Sequence, residues 1–170
     1  MKTKQLLESW KQFIAEGNDN GEIENNKSFT NWIFPDKKSI GLEYDVEYKH
    51  HIQYDFGDIF PTYDSFESAV KNGKIVSLTK SMDNSVQNRS RTQNMNQLRS
   101  LVSSYRSWPE FRNDDTLQEI VEGFKNNSPM KMPFVLEYRP SKFYIMSGNT
   151  RLDIAFMMGV VPKVIIVKGY

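Results

Sequence analysis

Cysteine is absent from the 170-residue chain, which excludes disulfides, thiolate zinc sites and cysteine nucleophiles together. This absence fits a reducing compartment. Long apolar runs are also missing, since no stretch approaches the roughly 20 residues that a bilayer-spanning helix needs. The start, MKTKQLLESWKQF, has no unbroken apolar segment of the kind found in secretory signals. We therefore expect a protein without a membrane partner.

The chain also lacks an excess of positive or negative charge. The 22 basic and 21 acidic side chains leave a formal net charge of +1, so overall charge predicts no class of partner. Histidine occurs only as the adjacent pair His50 and His51, without His-x-His or His-Glu-x-x-His spacing, and we predict no metal site there. The 38% hydrophobic and 13% aromatic content indicates a chain that folds around a core.

Apolar spacing divides the chain into three parts. Leucine, tryptophan and phenylalanine at helical intervals predict an amphipathic helix within residues 1–16. Residues 17–28 are rich in Gly, Asn and acid, which is typical of a linker. Residues 29–170 are then a single domain, whose aromatic-rich N-terminal extension covers 29–64.

Within the domain, period-two and period-3.6 patterns alternate along the chain. They predict an edge strand through Leu42, Tyr44, Val46 and Tyr48, buried strands over 75–79 and 163–167, and a hairpin of 134–138 with 143–147. They predict helices over 65–74, 95–106, from Asp114 or Asp115 onward, and 150–158 ending at Gly159, with a loop over 80–94. The fold class expected is α/β in the mixed α+β sense: a small mixed sheet with packed helices.

The sequence YIMSGNTRLDIAFMMG, residues 144–159, turns from a strand pattern into a helix pattern at Ser147. Gly148 can take a positive φ and lets a ligand approach the backbone, and Asn149 or Thr150 can cap the helix. A helix N-terminus favours anions, and Arg151 in its first turn could bind a phosphate. The alternative is an ordinary strand-to-helix turn with a solvated arginine.

A second candidate site is the basic stretch that surrounds QNRSR, residues 87–91. Against the single acid Asp83 it contains Lys80, Arg89, Arg91, Arg99 and Arg106. Contact with phosphate or nucleic acid is one interpretation, and Arg99 and Arg106, seven residues apart, could share a helix face. A solvated basic surface is the other interpretation.

Catalytic residues cannot be assigned from these patterns. Scattered acids could hold Mg²⁺ or act as a base, but no spacing brings them together; they are Asp45, Asp55, Asp58, Asp64 and Asp83. The aromatic side chains of 29–66 could stack on bases, but core packing is the preferred interpretation.

The order of motifs resembles the ParB/sulfiredoxin-like domain over about residues 75–168. The resemblance rests on NRSRTQNMNQLRSLVSSY followed by MPFVLEYRPSKFYIMSGNTRLDIAFMMGVVPKVIIV. It implies a phosphate held at a Gly-x-x-Arg turn, here Gly148 to Arg151, with Ser147, Asn149 and Thr150 around it. Arg89 or Arg91 matches the upstream motif, and Ala155 matches a small packing residue.

The chain departs from that family in two informative places. Asn149 stands where partitioning members carry a glutamate and where sulfiredoxin carries its catalytic cysteine, so sulfiredoxin reductase activity is excluded. The resemblance otherwise implies a nucleotide or nucleic-acid ligand, with a nucleoside triphosphate and Mg²⁺ as the cofactors it suggests. If the protein is an enzyme, we expect a nuclease or a nucleotide-dependent phosphotransferase.

The N-terminal sequence MKTKQLLESWKQFIAEG resembles the capsid-targeting peptide of internal head proteins in tailed phages. The resemblance implies cleavage between Glu16 and Gly17, and a location in the cytoplasm of a bacterial host or in the phage head. The missing glutamate and cysteine at position 149 favour an alternative function, in which a non-catalytic phage accessory protein inhibits a host defence or nucleic-acid enzyme through protein–protein contact. Neither resemblance predicts an oligomeric state.

Overall fold

A computed structural model describes residues 29–104 and 114–170. The predicted helix of residues 1–16 and the linker of 17–28 lie outside these ranges. The fold is mixed α+β, as the sequence patterns predict. The strands are β1 Trp32–Ile33, β2 Lys74–Ser77, β3 Val86–Gln87, β4 Met130–Lys131, β5 Phe134–Arg139, β6 Lys142–Ile145 and β7 Lys163–Lys168.

Helices lie between these strands along the described chain. They are α1 Lys37–Leu42, a π-helix Glu43–Ile52, α2 Gln53–Phe56, α3 Tyr63–Lys71, α4 Lys80–Ser85, α5 Met95–Ser104, α6 Asp114–Lys125 and α7 Asn149–Met157. Among the described residues, no helix combines the length and apolar character needed to cross a membrane.

The main sheet has the strand order β2-β7-β5-β6-β3. The predicted hairpin is confirmed, with β5 antiparallel to β6. β5 also runs parallel to β7, with Phe134 opposite Ile165 and Val135 opposite Ile166. β1 and β4 form a separate parallel pair in which Ile33 lies opposite Lys131. The small sheet therefore ends at the residues that lead directly into β5.

Side chains alternate between the two faces of the sheet, as the pleat of a strand requires. Phe134 and Ile165 pack with the π-helix and α3 in one buried cluster. Val135 and Ile166 pack in another, which includes Leu152 of α7. A third cluster joins α5 and α6 to the other side of α7. Helix α7 is thus fixed by the sheet on one side and by two helices on the other.

The predicted edge strand over residues 42–48 is wrong, because this segment is helical. Its buried side chains, Ile40, Tyr44, Tyr48 and Ile52, recur every four residues. A spacing of four fits one helical face as well as it fits every second position of a strand. Aromatic packing decides between them: Tyr44 and Tyr48 stack at 5.4 Å between centroids, and both pack on Phe66 of α3.

Two further predictions need correction. The predicted loop over residues 80–94 contains α4 and β3, and α4 begins where the Thr79 hydroxyl accepts a bond from the Met82 N–H. The strand predicted over 75–79 exists as β2, but it is an edge strand and Ile75 is half exposed. The sequence pattern did not reveal α4, because a polar helix of six residues is too short to show an apolar period.

Candidate functional site

The corner between β6 and α7 is built around Gly148. Its φ is +87°, and it occupies the N-cap position of α7 without a capping side chain. A Cβ atom added here would lie 2.6 Å from the Pro133 Cβ. The prediction that Asn149 or Thr150 caps the helix is therefore wrong, because the helix already begins at Asn149. Glycine is required both for the left-handed backbone and for the close approach of Pro133.

Arg151 points from the first turn of α7 toward the segment that precedes β5. Its Nη1 donates to the Lys131 carbonyl at 2.5 Å, and the residue is only 9% exposed. Arg151 and Ser147 line a cleft of about 210 Å³. The alternative of a solvated arginine is therefore wrong, because Arg151 is buried and is one of the residues that line this concave surface.

The opposite wall of this cleft comes from α1, the start of the π-helix and β4. Its other lining residues are Pro35, Ser39, Leu42, Glu43, Lys131, Met132 and Phe134. The lining therefore combines apolar residues with two cationic residues, two serines and Glu43. A ligand that fits this mixture has an anionic group together with a less polar body.

Lys131 is held in place by the N-terminus of α1. Its Nζ donates to Ser39 Oγ at 2.6 Å and lies 3.0 Å from Asp36 Oδ2. Asp36 is also the N-cap of α1, because its Oδ1 accepts from the Ser39 N–H at 2.8 Å. That backbone bond and the Lys131 ammonium lower the pKa of Asp36 from 3.8 to about 2. The carboxylate is therefore ionised, and it is a ready partner for Lys131.

Arg89 lies on the other side of α7, in a buried polar network. Its Nε donates to Asp83 Oδ1 at 2.6 Å and its Nη2 to Asp153 Oδ1 at 2.8 Å. The side chains of Arg89 and Asp153 are both 0% exposed. Asp153 accepts three more bonds, from Ser90 Oγ and from the N–H and hydroxyl of Thr92. This network attaches the chain at 83–92 to the middle of α7.

Asn149 belongs to the same network rather than to the cleft. Its Oδ1 accepts from Arg89 Nη1 and from the Ser90 N–H, and its Nδ2 donates to the Asn88 carbonyl at 3.0 Å. Arg91 is partly exposed, with Nη2 on the carbonyls of Asp83 and Val86 at 2.6 and 2.5 Å. Asparagine at position 149 thus has a structural explanation that needs no ligand.

The structure divides the seven predicted phosphate-binding residues into two groups on opposite sides of the corner. Ser147 and Arg151 line the cleft, whereas Arg89, Arg91 and Asn149 bond with the segment 83–92. Gly148 lies between the groups, and Thr150 is half-buried next to it. Contact of any of these residues with phosphate stays a prediction.

Other predicted sites lie apart from the cleft or outside the described residues. Arg99 is half-buried in α5, and Arg106 lies outside the described residues, so their shared face stays a prediction. The same holds for cleavage between Glu16 and Gly17. Within the described residues, no three histidine, aspartate or glutamate side chains are grouped so that they could hold a metal ion.

Sequence reasoning missed three residues that shape the cleft or the network: Lys131, Ser39 and Asp153. Lys131 lies in NNSPMKMP, which the pattern marks only as the end of a helix, and no signal there indicates its position beside Arg151. Asp153 did carry a signal, because an aspartate among Leu152, Ile154 and Ala155 is an acid in the apolar part of the helix. A buried carboxylate requires a cationic partner, and Arg89 was available.

Comparison with known proteins leaves the geometry as the basis for function. No protein-family model, no curated protein sequence and no solved structure matches the chain.

Proposed function

We propose that this protein binds a phosphate-bearing ligand, either a nucleotide or the phosphate of a nucleic acid, in the cleft beside the Gly-x-x-Arg turn. The observation that carries the proposal is the pairing of Arg151 and Lys131 on a single concave surface, with the hydroxyls of Ser147 and Ser39 beside them. Guanidinium, ammonium and hydroxyl groups are the donors that proteins use for phosphate oxygens.

Burial strengthens the argument for Arg151. A charge that is removed from water interacts more strongly with an opposite charge, since solvent screens it less. Arg151 is fixed by its bond to the Lys131 carbonyl, so its guanidinium needs little reordering to meet an anion. The side chains of Arg89 and Asp153 on the other side of α7 are 0% exposed and bonded to each other, whereas the Lys131 side chain is 42% exposed. This difference in access favours the cleft over the 87–91 segment as the place where an anion binds.

The size and lining of the cleft bear on the choice of ligand. A volume of about 210 Å³ suits one phosphate group with part of its attached body. Apolar contacts from Leu42, Met132 and Phe134 can cover that body, and the Glu43 carboxylate can accept a bond from a ligand N–H or O–H. We therefore expect a free nucleotide or a terminal phosphate to bind better than the continuous backbone of a duplex.

The test is isothermal titration of the purified protein with a panel of phosphate ligands, with and without Mg²⁺. The panel contains inorganic pyrophosphate, the four nucleoside triphosphates, and one oligonucleotide with either a 5′-phosphate or a 5′-hydroxyl. Binding should weaken as salt rises. A preference for the triphosphates indicates a nucleotide site, and a requirement for the 5′-phosphate indicates a nucleic-acid end. Absence of binding to every member of the panel at low salt would contradict the proposal.

Lys131→Gln should weaken binding about tenfold, because a hydrogen bond to a charged group contributes about 1.5 kcal/mol. Lys131 is 42% exposed at its side chain, so the variant is expected to fold. The matched control is Lys142→Gln, which removes the same charge from an exposed position in β6. Equal effects of the two variants would show that only the overall charge matters.

A further inference from the structure

Asp36 lies where it competes with the proposed ligand for the ammonium of Lys131. It lies outside the cleft lining, yet its carboxylate is 3.0 Å from the ammonium of Lys131, which does line the cleft. Two of the three N–H donors of that ammonium can be assigned, one to Asp36 and one to Ser39 Oγ. An anion in the cleft must therefore share Lys131 with an anion that the protein itself supplies.

We infer that Asp36 is an affinity-setting residue of the cleft: it holds Lys131 as an internal counter-ion, and a phosphate ligand binds by drawing Lys131 away from it. This inference rests on the proposed function, because it concerns the same cleft. It adds a residue that no sequence motif indicates and gives it a role that differs from direct contact with the ligand.

The geometry keeps the free-energy cost of this exchange small. The Asp36 side chain is 60% exposed and that of Lys131 is 42% exposed, so the pair is a solvent-exposed ion pair that contributes little to stability. Ser39 Oγ is 2.6 Å from the ammonium and also lines the cleft, so Lys131 can turn inward without losing that partner. Asp36 keeps its own bond from the Ser39 N–H when Lys131 leaves.

Asp36 also caps α1, and the test must separate this role from its charge. Asparagine caps helices as well as aspartate does, so Asp36→Asn removes the charge and keeps an acceptor for the Ser39 N–H. The probe is inorganic pyrophosphate, titrated calorimetrically into the wild type and into Asp36→Asn. Asp45→Asn is the matched control, since Asp45 is an exposed aspartate whose carboxylate lies 3.0 Å from the Lys49 ammonium.

We expect Asp36→Asn to bind pyrophosphate about two- to fivefold more tightly than the wild type, the range that release of an exposed ion pair supports. Asp45→Asn should change affinity by less. In a Lys131→Gln background the gain in binding free energy from Asp36→Asn should fall below half of its original value, because Asp36 acts through Lys131. Thermal melting of each variant confirms that the fold is retained.

Each result decides the question. If the wild type binds and Asp36→Asn binds equally or more weakly, the inference is overturned and the proposed function stands. The inference is also overturned if the gain persists in full without Lys131, because Asp36 then only repels the ligand through space. If neither protein binds pyrophosphate, the inference is overturned, and the proposed function is then decided by the nucleotides and oligonucleotides of the ligand panel. Binding seen only in Asp36→Asn supports both.

Discussion

At the scale of single residues, two separate constraints require that position 148 be a glycine, which has no Cβ. Its backbone is left-handed, and the Pro133 ring fills the space where a Cβ would point. The sequence predicts the first constraint, because glycine follows a strand and precedes a helix. The second comes from a residue 15 positions earlier, and no local pattern announces such a contact.

Gly148→Ala should lower the free energy of unfolding by about 2–4 kcal/mol, from the left-handed backbone and from the clash with Pro133 together. Gly159→Ala is the matched control, because Gly159 has a φ of +69° and open space around its Cβ position. The control should lose only about 1–2 kcal/mol. Urea denaturation measures both, and equal losses would contradict the role assigned to Pro133.

At the scale of structural elements, a buried network determines how the segment 83–92 meets α7. Arg89 and Asp153 are fully buried, and each has several polar partners. A buried pair of this kind resists the loss of one member, because the other charge is left uncompensated. The basic stretch that the sequence marked as a phosphate contact thus also has a purely structural explanation.

Asp153→Asn should lower the free energy of unfolding by about 3–5 kcal/mol, since the guanidinium of Arg89 stays buried without that counter-charge. Asp45→Asn makes the same chemical change in an exposed pair with Lys49 and should cost less than about 0.5 kcal/mol. Chemical denaturation compares the two. A loss below 1 kcal/mol for Asp153→Asn would mean that the network contributes little.

The π-helix is one of the elements that the sequence patterns missed. Alternation of Leu42, Tyr44, Val46 and Tyr48 fits a strand, but the decisive interaction is long-range: the Tyr48 hydroxyl accepts from the Phe60 N–H at 2.6 Å inside the core. The elements that the sequence did predict include α6 and the hairpin of β5 and β6. Their apolar periods fit one type of secondary structure and not the other. Short or ambiguous periods need tertiary contacts to decide them.

Tyr48→Phe should lower the free energy of unfolding by about 1–3 kcal/mol, because it leaves the buried Phe60 N–H without its acceptor. Tyr54→Phe removes the same hydroxyl from a residue that is 88% exposed, and it should have almost no effect. Thermal and urea unfolding distinguish the two variants. Similar stability for both would argue against the helical packing of this segment.

At the scale of the whole molecule, the candidate site depends on pairings that are distant in sequence. Arg151 meets the Lys131 carbonyl across 20 residues, and the Lys131 ammonium meets Ser39 across 92. The sequence could place a corner with an arginine at residues 147–151, and the structure confirms that corner. It could not place the second cation, because the parallel pairing of β1 with β4 creates the neighbourhood.

The same architecture explains why the corner offers two different surfaces. Helix α7 lies between the sheet and the helices α5 and α6, so side chains of successive residues reach opposite surroundings. Asn149 bonds with Asn88 and Ser90, and Arg151 faces Lys131. An anion site at this corner therefore has to be on one side or the other, and the exposed Lys131 side chain favours the cleft.

Localising a bound anion tests this account most directly. Nitrogen–proton correlation spectra of the labelled protein, titrated with inorganic pyrophosphate, report which backbone amides respond. We predict shift changes at Ser147, Arg151, Lys131 and Ser39 that saturate together and that weaken about tenfold in affinity in Lys131→Gln. Saturable changes confined to residues 88–91, or no saturable change anywhere, would contradict the cleft as the phosphate site.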